Sequence, residues 1–218
     1  MKIIAYDEEE NFKYYILKVL AAYRIGYKDN YTDLLFSIDP GSKKVGLIVF
    51  LDDYYFDSHT FYDENILIDF IKEYVNFFQR GNPNLLKLTF KFGSGVLILT
   101  SRLIERVFNA FQERNGLKIY LINESKSSKI KIQNIKRRFR TKHEMSALIL
   151  ALRTGIEVDS VEFLNSLKQR KILDINNRNE HENLLKEINR SAEEVKDIIE
   201  KIINNNISLS QSTEMLIK

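Results

Sequence analysis

Apolar residues in this chain follow two rhythms, short unbroken runs and recurrences every three to four positions. The runs at 34–38, 45–51 and roughly 54–61 predict three strands, joined by a turn at Asp39-Pro40-Gly41 and a hairpin loop at Asp52-Asp53. Ahead of them, residues 2–6 suit a short strand. From about Glu8 to Tyr27, Phe12, Tyr15, Ile16, Val19, Leu20 and Tyr23 keep helical spacing until Gly26 stops the pattern. After the strands, Ile66, Phe70, Ile71, Tyr74, Val75 and Phe78 predict an amphipathic helix ending near Gly81-Asn82-Pro83. Leu85 to Phe90 is the next strand, followed by a Gly93-Ser94-Gly95 turn. A helix from about Val96 to Gln112 carries Leu99, Leu103, Val107 and Phe111, and Gly116 separates it from a strand at Leu117–Ile122.

A hairpin of strands followed by alternating helices and strands is the order of a mixed-sheet α/β domain. Beyond about Gly155 the pattern becomes helical. Asp159 with Glu162 suits a capping box, and Leu184, Leu185, Ile188, Val195, Ile198, Ile199 and Ile202 stripe a second helix. Asn204-Asn205-Asn206 breaks it, and Ser208 with Gln211 predicts the cap of a last short helix. The expected organisation is an N-terminal strand and helix over 1–33, an α/β domain over 34–155, and a helical C-terminal arm over 156–218. The stripe suits either a seam for a homodimer or packing back onto the domain.

Composition narrows the chemistry. Among 218 residues, 44% are hydrophobic and 29% charged, enough for a packed core. With no Cys and only 3 His, thiolate zinc sites and thiol nucleophiles are excluded, and carboxylates remain as the expected metal ligands. No apolar run reaches membrane-spanning length, so no membrane partner and a cytoplasmic location are expected. Frequent Ile, Lys, Glu and Asn, with 2 Pro and 8 Gly, would suit an AT-rich thermophile. The net charge of +3 says little by itself.

The distribution of charge says more. From Lys126 to Lys142 there are eight basic residues (Lys126, Lys129, Lys131, Lys136, Arg137, Arg138, Arg140 and Lys142) and no acid. Outside this segment 25 basic residues face 30 acidic ones, so the positive charge is concentrated here. A cationic segment of this kind suits a DNA or RNA backbone, and equally a solvated basic helix.

The segment lies between two acids, Glu124 after the last strand and Glu144 in the first turn of a helix. Asp39 ends the first strand. If the strands of Asp39 and Glu124 are parallel neighbours, both carboxylates emerge at one sheet edge. Ala147 and Ala151 would let the helix approach the sheet and bring Glu144 over the strand ends. Carboxylates gathered in this way need a cation between them, and Mg²⁺ or Mn²⁺ prefers such oxygen ligands. Each acid also has an ordinary use, as turn punctuation for Asp39, an exposed loop for Glu124 and a helix cap for Glu144. Gly93-Ser94-Gly95 before a helix suits a tight turn, or an anion site at free amides.

The Asp39-Pro40-Gly41-x-x-x-x-Gly46 pattern resembles the first strand of RNase H-like nucleases of the RuvC resolvase type. Asn123-Glu124-Ser125-Lys126-Ser127-Ser128 looks like the Asp-Glu-Arg-x-Thr-Thr stretch of YqgF-type ribosomal-RNA maturation nucleases. His143-Glu144-Met145-Ser146-Ala147-Leu148 resembles the His-Glu-Arg-Asp-Ala-Leu motif of archaeal RuvC-like proteins. Together these span roughly 34–154. The resemblance implies an RNase H-like mixed sheet flanked by helices, with an N-terminal helix and a helical C-terminal extension. It implies a divalent-metal-dependent nuclease cleaving phosphodiesters in structured DNA or RNA, including Holliday-junction-type substrates. Asp39, Glu124 and Glu144 would be metal ligands, and His143 a ligand, proton-transfer aid or phosphate contact. Ser146 stands where relatives commonly have Asp, and Lys91-Phe92-Gly93-Ser94-Gly95 where resolvases place a further acid. Those departures suit a second class, a non-catalytic nucleic-acid-binding or assembly protein on the same fold. A third, an ATP-using relative of actin-like kinases, lacks room for its second domain.

Overall fold

The computed structural model describes residues 4–85, 87–124, 139–158 and 192–217. Its strands are β1 (Asp33–Pro40), β2 (Val45–Leu51), β3 (Tyr54–Phe61), β4 (Lys87–Gly93), β5 (Leu117–Ile122) and β6 (Ile156–Glu157). They form one six-stranded mixed sheet in the order β3-β2-β1-β4-β5-β6. β2 lies antiparallel to β1 and β3, β4 and β5 run parallel to β1, and β6 returns antiparallel along β5. Helices α1 (Phe12–Ile25), α2 (Glu64–Gln79), α3 (Leu97–Phe111), α4 (Lys142–Ala151), α5 (Ala192–Ile203) and α6 (Leu209–Ile217) cover its two faces.

The period-two alternation of the strands assigns the faces. Leu34, Phe36 and Ile38 of β1 join Phe90 and Phe92 in one core with Leu17 of α1, Leu67 of α2 and Leu103 of α3. Phe36 and Phe90 stack with ring centroids 5.2 Å apart across the parallel pair. On the other face, Ile48 and Phe50 pack with Ala147 and Leu148 of α4, Ile198 and Ile202 of α5, and Leu209 of α6. The C-terminal helices share this face with α4 and reach the sheet themselves, Asn205 Nδ2 donating to the Tyr55 carbonyl at 3.0 Å and the Leu209 N–H to the Asp53 carbonyl at 2.8 Å.

Several elements differ from the sequence expectation. Residues 4–6 form no strand; Tyr6 instead sets its ring against Phe12 and Tyr15, at 5.7 and 5.1 Å, below the start of α1. α1 begins only at Phe12, because the Asn11 side chain accepts the Lys13 N–H at 2.9 Å and caps it. β4 runs on to Gly93, whose partner is Ile122, so the first glycine of the presumed turn is a strand residue. Val195, Ile198, Ile199 and Ile202 are buried within the chain, which leaves that part of the stripe no role as a dimer seam. Ser208 and Gln211 cap α6 reciprocally, Ser208 N–H to Gln211 Oε1 at 2.9 Å and Gln211 N–H to Ser208 Oγ at 3.2 Å. Asp159, Glu162, Leu184, Leu185 and Ile188 lie outside the described residues. No helix among the described residues is long and apolar enough to cross a membrane.

Lys91 shows how the α4 face is held. Its Nζ donates to the carbonyls of Ala151, at 2.5 Å, and Arg153, at 2.9 Å, closing the C-terminal end of α4. Burial brings its ammonium down to about 8. The free lysine titrates near 10.5, so between those values the unfolded chain binds the extra proton and stability rises with pH. The wild type should therefore gain stability from pH 8 to 10.5, on the order of 2–3 kcal/mol, relative to Lys91→Met. Urea midpoints of the two proteins across that range measure it; parallel pH profiles would contradict it.

Candidate functional site

The carboxyl ends of β1, β3, β4 and β5 open on one edge of the sheet, and α2, α3 and α4 begin there. Asp39, Gly46 and Thr60 form a row across β1, β2 and β3 at this edge. Asp39 is only 6% exposed. It faces the N-terminal turn of α4, and His143 Nδ1 donates to its Oδ2 at 2.6 Å. Burial pushes the Asp39 carboxyl above its ordinary range, and the His143 hydrogen bond and charge oppose that shift.

Two glycines make the approach of α4 possible. A Cβ on Gly46 would stand 2.1 Å from the backbone carbonyl of His143, and one on Gly41 2.3 Å from the His143 ring. Beneath them, Ser37 Oγ donates to the Ala147 carbonyl at 2.6 Å. His143, Ala147 and Ala151 are spaced by four, so one helix face carries both small residues to the sheet and the imidazole to Asp39.

Glu124 reaches the same edge from the end of β5. Its Oε1 accepts the Gly95 N–H at 2.9 Å. Cβ atoms on Gly93 and Gly95 would overlap its carboxylate, at 2.0 and 2.4 Å. The Gly93-Ser94-Gly95 segment is therefore a cradle, and the anion it holds is the chain's own Glu124. Burial raises the Glu124 carboxyl; the Gly95 amide opposes this, the Asp39 charge adds to it, and Arg153 and His143 counter it. Arg153 also donates from Nη1 to the Asn123 carbonyl at 2.8 Å, holding the loop that carries Glu124.

Glu144 does not join them. Its side chain is 1% exposed and turned toward β3. Oε1 accepts from Thr60 Oγ1 at 2.5 Å and Oε2 from the Arg140 N–H at 3.1 Å, while its own N–H meets Thr141 Oγ1 at 3.3 Å. This is a capping arrangement with the N-cap at Thr141. The expected convergence of Asp39, Glu124 and Glu144 is thus replaced by Asp39, Glu124 and His143, since adjacent helix positions differ by about 100° in direction. Among the described residues no three of His, Cys, Asp and Glu are grouped as a metal ion would require. The donor types still suit one. Among the described residues Asp39 Oδ1 takes no hydrogen bond.

Of the basic segment, Arg140 and Lys142 are exposed at this edge. Lys126, Lys129, Lys131, Lys136, Arg137 and Arg138 lie outside the described residues. Ser146 is half-buried, and Lys91 faces the far end of α4. The sequence reading missed Thr60, Thr141 and Arg153. The Thr141-x-x-Glu144 spacing was the available signal for the first turn of α4. A cavity of about 1350 Å³ lined by Tyr6, Glu10, Tyr14, Lys18, Tyr31 and Asn82 lies at the opposite end of β1 and β4. No family model matches the chain, and no curated protein matches it in sequence.

The two kinds of glycine should respond differently. Gly46→Ala meets backbone and should cost about 3 kcal/mol, whereas Gly95→Ala meets only the tip of a movable side chain and should cost under about 1 kcal/mol. Chemical denaturation of both variants measures this, and equal losses would contradict the backbone contact at Gly46.

Proposed function

We propose that this protein is a divalent-metal-dependent nuclease of the RNase H-like, RuvC/YqgF type, acting on phosphodiesters in structured DNA or RNA. The observation that carries the reading is the buried Asp39 carboxylate at the end of the central strand, hydrogen-bonded to His143, with Glu124 on the same edge. The strand order, with β1 between the antiparallel β2 and the parallel β4, is the one this fold group uses.

Asp39 and Glu124 would hold the cation, and their carboxylate oxygens suit Mg²⁺ or Mn²⁺. When bound, the ion would supply a polarised phosphodiester and an activated water. The chain's own residues provide the rest. Asp39 accepts the proton on His143 Nδ1, which fixes the tautomer and leaves Nε2 to take a proton from water or return one to the leaving oxygen. Glu144 keeps the first turn of α4 in place from below through Thr60 and Arg140. Arg140 and Lys142 draw the phosphate backbone toward the edge without reading sequence.

A second reading, a nucleic-acid-binding or assembly protein without catalysis, is favoured by the capping role of Glu144, which leaves the site one carboxylate short. The two are separated by assay of a panel of four-way junctions and structured RNAs with Mn²⁺. Wild type should cleave, Asp39→Asn should lose at least about a hundredfold in rate, and Glu144→Gln, which keeps a carbonyl acceptor, should stay within about threefold. Undiminished cleavage by Asp39→Asn would overturn the mechanism. Binding with no cleavage by any form would establish the second reading.

A further inference from the structure

Tyr62 lies just beyond the end of β3 and is 73% exposed, large for an aromatic so close to a buried polar site. Lys44, in the β1–β2 turn, places its Nζ 5.2 Å from the centroid of the Tyr62 ring. Tyr62 is two residues beyond Thr60, the residue in register with Gly46 and Asp39. Two strand spacings across and two residues along put it on the order of 10 Å from Asp39.

Among the described residues, the cations around it lack carboxylate partners. Lys43, Arg140 and Lys142 are exposed at the same edge, and with Lys44 none of them forms an ion pair among the described residues. Lys13, Lys18, Lys28, Lys87 and Arg102 all have carboxylate partners. The acids next to Tyr62 are already engaged: Asp63 accepts the Asn65 and Ile66 N–H groups, and Glu64 pairs with Arg102 and Arg106. Among the described residues, four cations without ion-pair partners therefore sit beside one exposed aromatic face.

We infer that Tyr62 and Lys44 form a stacking step for an unpaired nucleotide, which holds a single-stranded stretch of DNA or RNA across the Asp39 edge. The inference rests on the nuclease reading for the identity of the neighbouring site. An acidic peptide would use the cations but has no need of a flat ring. A nucleotide uses both, its base on the ring and its phosphate on Lys44 and its neighbours.

The test is fluorescence anisotropy of a labelled twelve-nucleotide oligo(dT) in EDTA, where contact is read without cleavage. Tyr62→Ala should weaken binding about 5- to 100-fold, and Tyr62→Phe should stay within about twofold, because the ring alone stacks. Lys44→Ala should lower the slope of log affinity against log salt by about 0.7. The same titration with a poly-glutamate peptide should show at least tenfold weaker binding to the wild type. No oligonucleotide binding by wild type, unchanged affinity in Tyr62→Ala, equal losses in both tyrosine variants, or equal affinity for poly-glutamate would each overturn the step. Asp39-dependent cleavage with normal binding by Tyr62→Ala removes only this inference. Tyr62-dependent binding without cleavage removes only the nuclease reading.

Discussion

The contact on which the rest of this structure depends is the close approach of α4 to the centre of the sheet. A helix normally stands about 10 Å from a sheet on a cushion of side chains. Here Gly46, Ala147 and Ala151 remove that cushion. Ser37 closes the gap with a hydrogen bond to the helix backbone, and Lys91 ties the helix's last carbonyls to β4. The helix is thereby fixed at both ends and its middle, so the position of His143 relative to Asp39 follows from packing.

That approach has an electrostatic consequence. It buries the Asp39 carboxylate and raises its proton affinity, yet among the described residues supplies only one hydrogen bond in return. Glu124 adds a second carboxylate, held by the Gly95 amide and close to the Arg153 charge. Two acids on one edge whose carboxyls burial pushes up, with cations gathered along its rim, form an arrangement that stability alone does not favour. Glu144 is the contrasting case. It is equally buried, but both oxygens are satisfied within the α4 cap, and its contribution is to the fold.

Much of this was legible in the sequence where the signal was local. The Pro40-Gly41 turn after an apolar run located Asp39 at a strand end, and the alternation of strand and helix patterns anticipated the mixed α/β sheet. The choice between His143 and Glu144 was legible in part, because spacing by four puts His143 on the face of Ala147 and Ala151 with Glu144 at its margin; that Glu144 turns away to Thr60 is decided by tertiary packing. Lys91 was readable in part: Leu88, Phe90 and Phe92 mark one face of β4, which assigns Lys91 to the other. Nothing in its local pattern shows that the other face meets a helix terminus. Gly93 and Gly95 were visible as small residues, but the Glu124 carboxylate they admit comes from 29 positions beyond Gly95. The apolar stripe of α5 showed that it would be buried, without saying by what.

The account stands on Asp39 and Glu124 sharing a divalent cation. The most direct measurement is a crystal soaked in Mn²⁺ and examined by anomalous scattering at the manganese edge. The expected result is a single peak beside the Asp39 and Glu124 carboxylates, lost in Glu124→Gln. Absence of a peak at millimolar Mn²⁺, with the Asp39–His143 hydrogen bond intact, would contradict it.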